Sequence, residues 1–140
     1  MAQLKLIALE PADLTIVSAS LQDAVVKVGD MTFSKADSRF AALCNRLNWE
    51  AGGRERHRAA LRIERVRSVQ VQGFAPADRS TVLAILALSF APDPDPALAP
   101  AGTLTIVCAG NATLRFDVEC VELVVEDLGP AWQAAGTPEH

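Results

Sequence analysis

The sequence predicts an α+β domain built on a strongly bent antiparallel sheet of about seven strands. Short segments in which apolar and polar residues alternate recur along most of the chain. Apolar residues at helical spacing stand near both ends, which predicts a helix at each end. A chain of 140 residues has the size of one domain, which we place at residues 1–132, followed by a frayed tail at residues 133–140.

The N-terminal segment predicts a short strand followed by a helix. Residues 3–9 alternate weakly between apolar and polar side chains, which favours a strand. Pro11 suits the first turn of a helix, where the missing amide hydrogen would be unpaired in any case. Leu14, Val17 and Leu21 then recur at helical spacing, so we expect them on one buried face.

The middle of the chain predicts paired strands. Residues 26–33 favour a strand with a bulge near Gly29–Asp30, where the alternation changes phase, and residues 40–47 favour the next strand. Residues 61–72 change phase once more, which predicts two short strands joined by a tight kink at Arg65–Val66–Arg67.

The next two segments are less regular. Residues 81–90 are apolar throughout, and their periodicity leaves a buried helix and a buried strand both open. Residues 91–102 contain four of the eight prolines, and we expect an exposed, extended loop there because proline lacks an amide donor.

Residues 103–118 predict a β-hairpin whose register follows from its apolar residues. A loop of two residues would place Ile106 opposite Arg115, which puts a charge on the apolar face. A loop of three residues, 109–111, instead places Ile106 opposite Leu114. This loop requires Asn111 in the left-handed conformation, which asparagine tolerates.

The segment after the hairpin predicts an amphipathic helix that caps the sheet. Val121, Val124, Val125 and Leu128 recur at the spacing of one helical face. Gly129–Pro130 then provides a helix stop. The resulting order of a helix, a bent antiparallel sheet and a C-terminal helix resembles a pleckstrin-homology-like roll with an N-terminal extension.

Four stretches of the chain resemble a family of uncharacterised bacterial proteins, mainly alphaproteobacterial, known as a domain of unknown function. They are LQDAVVKVGDMTF, NRLNWE, RAALRIERVRSVQVQGF and RFDVECVELVVEDLGPAW. The resemblance covers roughly residues 4–132 and implies no activity, substrate or catalytic residue. The shorter stretch RIERVRSVQVQGF is also similar to two strands of bacterial pleckstrin-homology-like domains, which supports that fold without implying lipid binding.

Charge is distributed unevenly along the chain, which carries a formal net charge of −4. Residues 1–79 hold 12 of the 13 Lys and Arg residues and sum to +3, whereas residues 80–140 sum to −7. Arginine forks suit phosphate and carboxylate groups, so the basic region is a candidate anion site. Its candidate residues are Arg54, Arg56, Arg58, Arg62 and Arg67. The alternative is that these side chains are solvated and paired with nearby acids.

Catalytic and metal sites have little support in the sequence. There is no nucleophile-elbow, phosphate-loop or zinc-protease motif, and we expect no metal or other cofactor. Cys44 or Cys120 with His57 is the one conceivable nucleophile–base pair, but His57 stands among arginines and is expected at the solvated surface. We therefore expect a protein that is not an enzyme.

Two further observations bear on partners and location. Trp49 and Trp132 stand near the ends of predicted elements and are candidates for an interface, although each also suits the edge of a core. The three cysteines form no CxxC pair, which indicates reduced thiols and a cytoplasmic protein. The longest apolar run, residues 82–88, is far shorter than the roughly 20 residues of a membrane span.

The leading hypothesis is a non-enzymatic cytoplasmic domain that binds a protein partner or a second copy of itself. The alternative is a domain that binds a small anion or phosphometabolite through residues 54–67, and an enzyme of unrecognised type is a third. The acidic overall charge, with a sequence pI of about 5.1, argues against a nucleic-acid partner.

Overall fold

The computed structural model describes residues 4–47, 55–129 and 132–133. Strands dominate, and one α-helix precedes most of them. The elements are β1 (Lys5–Ala8), α1 (Leu14–Leu21), β2 (Val25–Ser34), β3 (Arg39–Leu47), β4 (Glu55–Ile63), β5 (Val66–Gln72), β6 (Val82–Pro92), β7 (Gly102–Cys108), β8 (Ala112–Val118), β9 (Leu123–Asp127) and β10 (Trp132–Gln133). The α+β class predicted from the sequence is confirmed.

The strands form one open antiparallel sheet in the order β1-β9-β4-β3-β2-β6-β7-β8-β5, and β10 pairs with the start of β4. The sheet bends at β6, because residues 82–84 pair with β2 while residues 85–92 pair with β7. The bend brings the two halves face to face. The rings of Phe40 on β3 and Phe116 on β8 lie 4.8 Å apart between their centroids, so both belong to the core between the halves.

The helix α1 closes part of this core. Leu14, Val17 and Leu21 are buried, as their helical spacing predicts, and α1 packs against β6, β3 and β1. A 3-10 turn at Pro11–Asp13 leads into α1, and the Asp13 carboxylate accepts hydrogen bonds from the backbone amides of residues 9 and 10.

Several local predictions are confirmed. The hairpin of β7 and β8 has the expected three-residue loop, and Asn111 in that loop has a φ of 62°. In the strands, Ile106 lies opposite Leu114 as predicted. Arg65 has a φ of 61° at the kink between β4 and β5. The register of β2 against β3 shifts between Val26 and Met31, which is the expected bulge.

The predicted C-terminal helix is wrong, and so is the count of about seven strands. Residues 123–127 form β9, which pairs with β1 on one side and β4 on the other. Leu123, Val125 and Asp127 point towards the core, so the true period is two. The helical spacing of Val124 and Leu128 is incidental, since Leu128 is 52% exposed. The described residues form ten strands.

Two other expectations need correction or completion. The ambiguous apolar segment is a strand, β6, which extends to Pro92. The proline-rich loop after it is not simply extended, because it contains a 3-10 turn at Pro96–Leu98. In the part of the chain that the structure describes, no helix is both long and apolar enough to cross a membrane.

Candidate functional site

The described arginines that the sequence singled out lie on two strands, three on β4 and one on β5. Arg54 lies outside the described residues, as do the adjacent Gly52–Gly53 pair and Trp49. Arg67, on β5, forms an ion pair with Asp117 at 2.9 Å. A charge neutralised in this way is less available to a ligand than an unpaired one.

Three of the arginines share one surface. Arg56, Arg58 and Arg62 alternate along β4 on the face opposite the core, which we call the outer face. Arg56 donates a hydrogen bond to the backbone oxygen of Asn45 at 3.1 Å. The side chains of Arg58 and Arg62 are exposed and make no hydrogen bond or ion pair within the described residues. The outer face thus presents two unpaired guanidinium groups.

A hollow of about 510 Å³ opens on the outer face, next to the bulge of β2. Its lining includes Val25, Lys27, Asp30, Asn45, Arg58 and Val82. At this bulge the segment before β6 approaches β2 closely: the Gly29 amide donates to the backbone oxygen of Arg79 at 2.8 Å, and a Cβ atom on Gly29 would lie 2.8 Å from the same oxygen. Of the arginines proposed as an anion site, only Arg58 lines the hollow within the described residues.

On the inner face, three charged or polar side chains form a buried cluster that the sequence did not predict. Asp127 accepts two hydrogen bonds from Arg46, at 2.8 Å to each carboxylate oxygen. It also accepts one from the backbone amide of Leu4 at 2.7 Å. The Nδ1 atom of His57 lies 3.3 Å from the same carboxylate. These contacts tie β1, β3, β4 and β9 together.

The expected position of His57 at the solvated surface is wrong. His57 is the third residue of β4 and points inward, where it is 1% exposed. Its two ring nitrogens have no hydrogen-bond partner in the described part of the chain. The sequence signal for the buried position of His57 is the alternation of residues 57, 59, 61 and 63, which all face inward once β4 begins before residue 57.

The charge of the buried cluster is held in place by Arg46. Burial acts to raise the pKa of the Asp127 carboxyl, but the Arg46 guanidinium and the Leu4 amide stabilise the carboxylate, and the net pKa is below the usual value. Because both side chains are almost fully covered, the ion pair is a structural element that joins strands and is closed to ligands.

Two of the three cysteines, Cys44 and Cys108, lack the environment of a nucleophile. Burial raises the pKa of the Cys44 thiol to about 12 and that of the Cys108 thiol to about 11. A reactive cysteine needs the opposite shift, because the thiolate is the nucleophile. Although Cys44 lies one inward position along β3 from Arg46, its thiol therefore cannot serve as the nucleophile of a Cys–His pair.

This arrangement predicts distinct thiol reactivity. In the native protein, a thiol reagent such as Ellman's reagent is expected to modify Cys120 first, because Cys120 is partly exposed while Cys44 and Cys108 are buried. In denaturant, all three should react at similar rates. Rapid native modification of all three would contradict the buried positions, and a Cys120→Ser variant identifies which signal belongs to Cys120.

A second surface feature lies where β6 leaves β2 and runs beside α1. A groove of about 500 Å³ opens along the line where the helix meets the strand, and its lining includes Ser18, Ala19, Leu86, Leu88, Ser89 and Phe90. None of the residues that line this groove, which we call the β6 groove, is charged. Its floor is the edge of β6 that faces away from β7.

Backbone groups on that edge lack partners. The Leu88 amide donates to the Ser18 hydroxyl at 2.9 Å, which shows that the backbone groups of residue 88 face the groove. Because backbone groups alternate in an antiparallel strand, those of Phe90 face the groove as well. The Leu88 carbonyl and both backbone groups of Phe90 have no hydrogen-bond partner among the described residues. No pattern along the chain indicates this edge, since the edge depends on where β2 and β6 separate.

Comparison with known sequences places the chain in a family. Residues 4–140 match the family described as protein of unknown function DUF2948. The chain belongs to this family. The match confirms the resemblance seen in the sequence to a domain of unknown function. No curated protein and no solved structure shows a significant match to this DUF2948 chain.

The interface through Trp49 and Trp132 stays a prediction for this DUF2948 chain. Trp132 lies in β10, and its backbone pairs with that of Arg56. Residues 134–140 of the expected tail lie outside the described residues. Within the described ranges, no group of three or more His, Cys, Asp or Glu side chains is placed to hold a metal ion.

Proposed function

We propose that this protein is a non-enzymatic interaction domain that binds an extended segment of a partner protein in the β6 groove. The observation that carries the proposal is the set of three backbone groups, the Leu88 carbonyl and the amide and carbonyl of Phe90, that have no partner among the described residues. An incoming strand would pair with these groups and extend the sheet by one strand, a recognised mode of peptide binding.

The hydrogen-bonding pattern of the edge sets the backbone requirement for the partner. Leu88 offers one carbonyl acceptor, while Phe90 offers one donor and one acceptor. If the added strand is antiparallel to β6, the partner residue opposite Phe90 must supply both an amide hydrogen and a carbonyl, so proline cannot occupy that position. Pro92 lacks an amide hydrogen and marks the end of β6, which limits the strand addition to a short segment.

The side chains of the groove set the chemistry of the partner. Leu86 is 44% exposed at the groove, and Ala19 on α1 is small and exposed. Every lining residue is uncharged, so a charged partner side chain would lose hydration without gaining an ion pair. Alternate side chains of an added strand point the same way. The expected ligand therefore carries apolar side chains at alternate positions facing α1.

The proposed location is the cytoplasm, where cysteine thiols remain reduced. The free thiols of Cys44, Cys108 and Cys120 support this location. The proposal does not require a second copy of the chain, but a second copy that adds its own strand is one outcome that light scattering would detect.

A displayed peptide library tests the proposal. Peptides of about eight residues, which span ~25 Å when extended, are longer than the free edge from Leu88 to Phe90 and therefore cover it in any register. We expect selection for apolar residues at alternate positions without charges between them. In the free protein, the Phe90 amide should exchange with deuterium faster than the amides of Ser89 and Ala91, which face β7. A bound peptide should slow the exchange of Phe90.

Matched variants separate binding in the groove from binding elsewhere. Ala19→Glu places a charge in the groove and should abolish binding of the selected peptides. Ala109→Glu makes the same exchange in an exposed turn and should leave binding unchanged. Peptides that bind Ala19→Glu as tightly as the unaltered protein, or that leave Phe90 exchange unchanged, would refute strand addition to β6. A library that yields no ligand would do so as well.

A further inference from the structure

The hollow on the outer face has the size of a small-molecule site. Sites for small ligands typically measure about 300–1,000 Å³, and the hollow measures about 510 Å³. It lies on the opposite side of β2 and β3 from the core. Its walls come from β2, β3, β4 and β6. Strands hold a site more precisely than loops do, because their backbones are fixed by hydrogen bonds on both sides.

The charges at the hollow favour a ligand with a single negative charge. Lys27 and Arg58 are exposed and make no ion pair or hydrogen bond through their side chains within the described residues. Asp30 also lines the hollow, so the charged lining residues sum to +1. A monoanion would balance this charge, whereas a ligand with several phosphates would meet repulsion from Asp30.

The uncharged part of the lining favours a ligand with an apolar body. Val25, Leu43 and Val82 line the hollow. Val82 is 59% exposed, so covering it with the apolar part of a ligand would lower the free energy. The Oδ1 atom of Asn45 is covered by protein and has no hydrogen-bond partner in the described part of the chain. Rotation of the amide by half a turn exchanges Oδ1 for Nδ2, so Asn45 can supply an acceptor or a donor.

The arrangement distinguishes Arg58 from its neighbours on the same strand. Arg58 lies opposite Asn45, which in turn lies opposite Val25, so these three residues form one row across the strands. Arg62 shares the outer face but lies two outward positions farther along β4, after Ala60. Its neighbours across the strands are Ala41 and Val124. Arg58 alone of this pair is therefore placed to bind a ligand in the hollow.

We propose that the hollow binds a small monocarboxylic acid with an apolar body. The carboxylate lies between Lys27 and Arg58, and the apolar part lies against Val25 and Val82. Arg58 offers a planar fork of donors that matches the two oxygens of a carboxylate. This site is separate from the β6 groove, whose lining residues are different.

Isothermal titration with sodium hexanoate and sodium benzoate tests the proposal. Both compounds combine one carboxylate with an apolar body. Hexanol, which lacks the charge, and inorganic pyrophosphate, which lacks the apolar body and carries several charges, should bind more weakly by about tenfold or more. Pyrophosphate binding as tight as that of both carboxylates would overturn the proposal in favour of a general anion site.

Variants locate the binding. Arg58→Ala and Lys27→Ala should each weaken hexanoate binding by about tenfold or more, because each removes a charged hydrogen-bond donor. Arg62→Ala removes the same group from the same face and should leave the affinity unchanged. Equal effects of Arg58→Ala and Arg62→Ala would show nonspecific attraction and refute the site, as would the absence of measurable hexanoate binding. Circular dichroism establishes that each variant is folded.

The two proposed sites can fail independently. Ala19→Glu should retain hexanoate binding, because Ala19 lines the β6 groove and not the hollow. Arg58→Ala should likewise retain the peptides selected for the groove. If Ala19→Glu abolished hexanoate binding in a folded protein, the carboxylate would be bound in the groove, and the assignment to the hollow would be wrong.

Discussion

Replacing Asp127 with alanine is expected to destabilise the protein by about 3–5 kcal/mol, the usual result of leaving one member of a buried ion pair without its partner. The Arg46 side chain is 7% exposed and the Asp127 side chain is fully covered, so water cannot replace the lost carboxylate. The backbone amide of Leu4 loses its acceptor as well. The free energy of unfolding, measured in urea, should fall accordingly.

A surface ion pair supplies the matched control. Asp117→Ala breaks the pair with Arg67, whose heavy-atom distance of 2.9 Å is close to that of the buried pair. Both side chains are about half exposed there, so the expected loss is about 0–1 kcal/mol. If Asp127→Ala and Asp117→Ala destabilised the protein equally, the buried cluster would not have the structural role assigned to it.

The effect of Asp127 should depend on pH in a definite direction. Its pKa is lower in the folded protein than the usual value, so the folded state favours the carboxylate. The resulting stability is fully present above the unfolded pKa of about 3.9 and is lost as the pH falls through the lower folded pKa. Asp127→Asn cannot titrate at this position. The stability difference between the unaltered protein and Asp127→Asn should therefore narrow in acid.

The same residue explains why the C-terminal strand could not be predicted. Asp127 interrupts the inward series that begins with Leu123 and Val125, and a charged residue ordinarily indicates the solvent side of a strand. The partner that makes its burial tolerable, Arg46, lies on β3, far away in the sequence. The sequence of β9 alone does not indicate that partner. The incidental helical spacing of the valines therefore predicted a helix in place of a strand.

Elements whose register depends on neighbouring residues were predictable. In the hairpin of β7 and β8, matching Ile106 with Leu114 determines the loop length, and the loop length determines the conformation of Asn111. The strand β6 differs because its residues are apolar on both sides. Only its pairing with β2 and then with β7 shows that it is a strand, and this pairing depends on distant parts of the chain.

The candidate sites divide in the same way. The shared face of Arg58 and Arg62 follows from alternation along β4 and was open to prediction once the strand was recognised. The hollow beside Arg58 could not be predicted, because it depends on the strand order that places β2 and its bulge two strands away from β4, with β3 between them. The open edge at Phe90 depends likewise on where two strands part. Sequence patterns indicate which side chains face outward, whereas topology decides what surrounds them.

Replacing Phe116 with alanine is expected to cost about 3–5 kcal/mol, the range for removing a buried phenylalanine ring. Phe116 is fully buried, and its ring packs against that of Phe40 with the planes at 60°. The strands β3 and β8 are not neighbours in the sheet. The contact between the two rings therefore joins the two halves of the bent sheet across the core. Since domains are commonly stable by about 5–15 kcal/mol, the variant should lie close to unfolding.

Urea denaturation of single and double variants measures the part that depends on the ring contact. Phe116→Leu keeps an apolar side chain and should cost less than Phe116→Ala. Phe40→Ala should also destabilise the protein, but the double variant should lose less than the two single losses together, by about 0.5–1.5 kcal/mol, because the contact between the rings can be lost only once. Strictly additive losses would mean that each ring is held by its own half of the sheet. The packing of Phe40 on Phe116 would then not be what holds the bent sheet closed over its core.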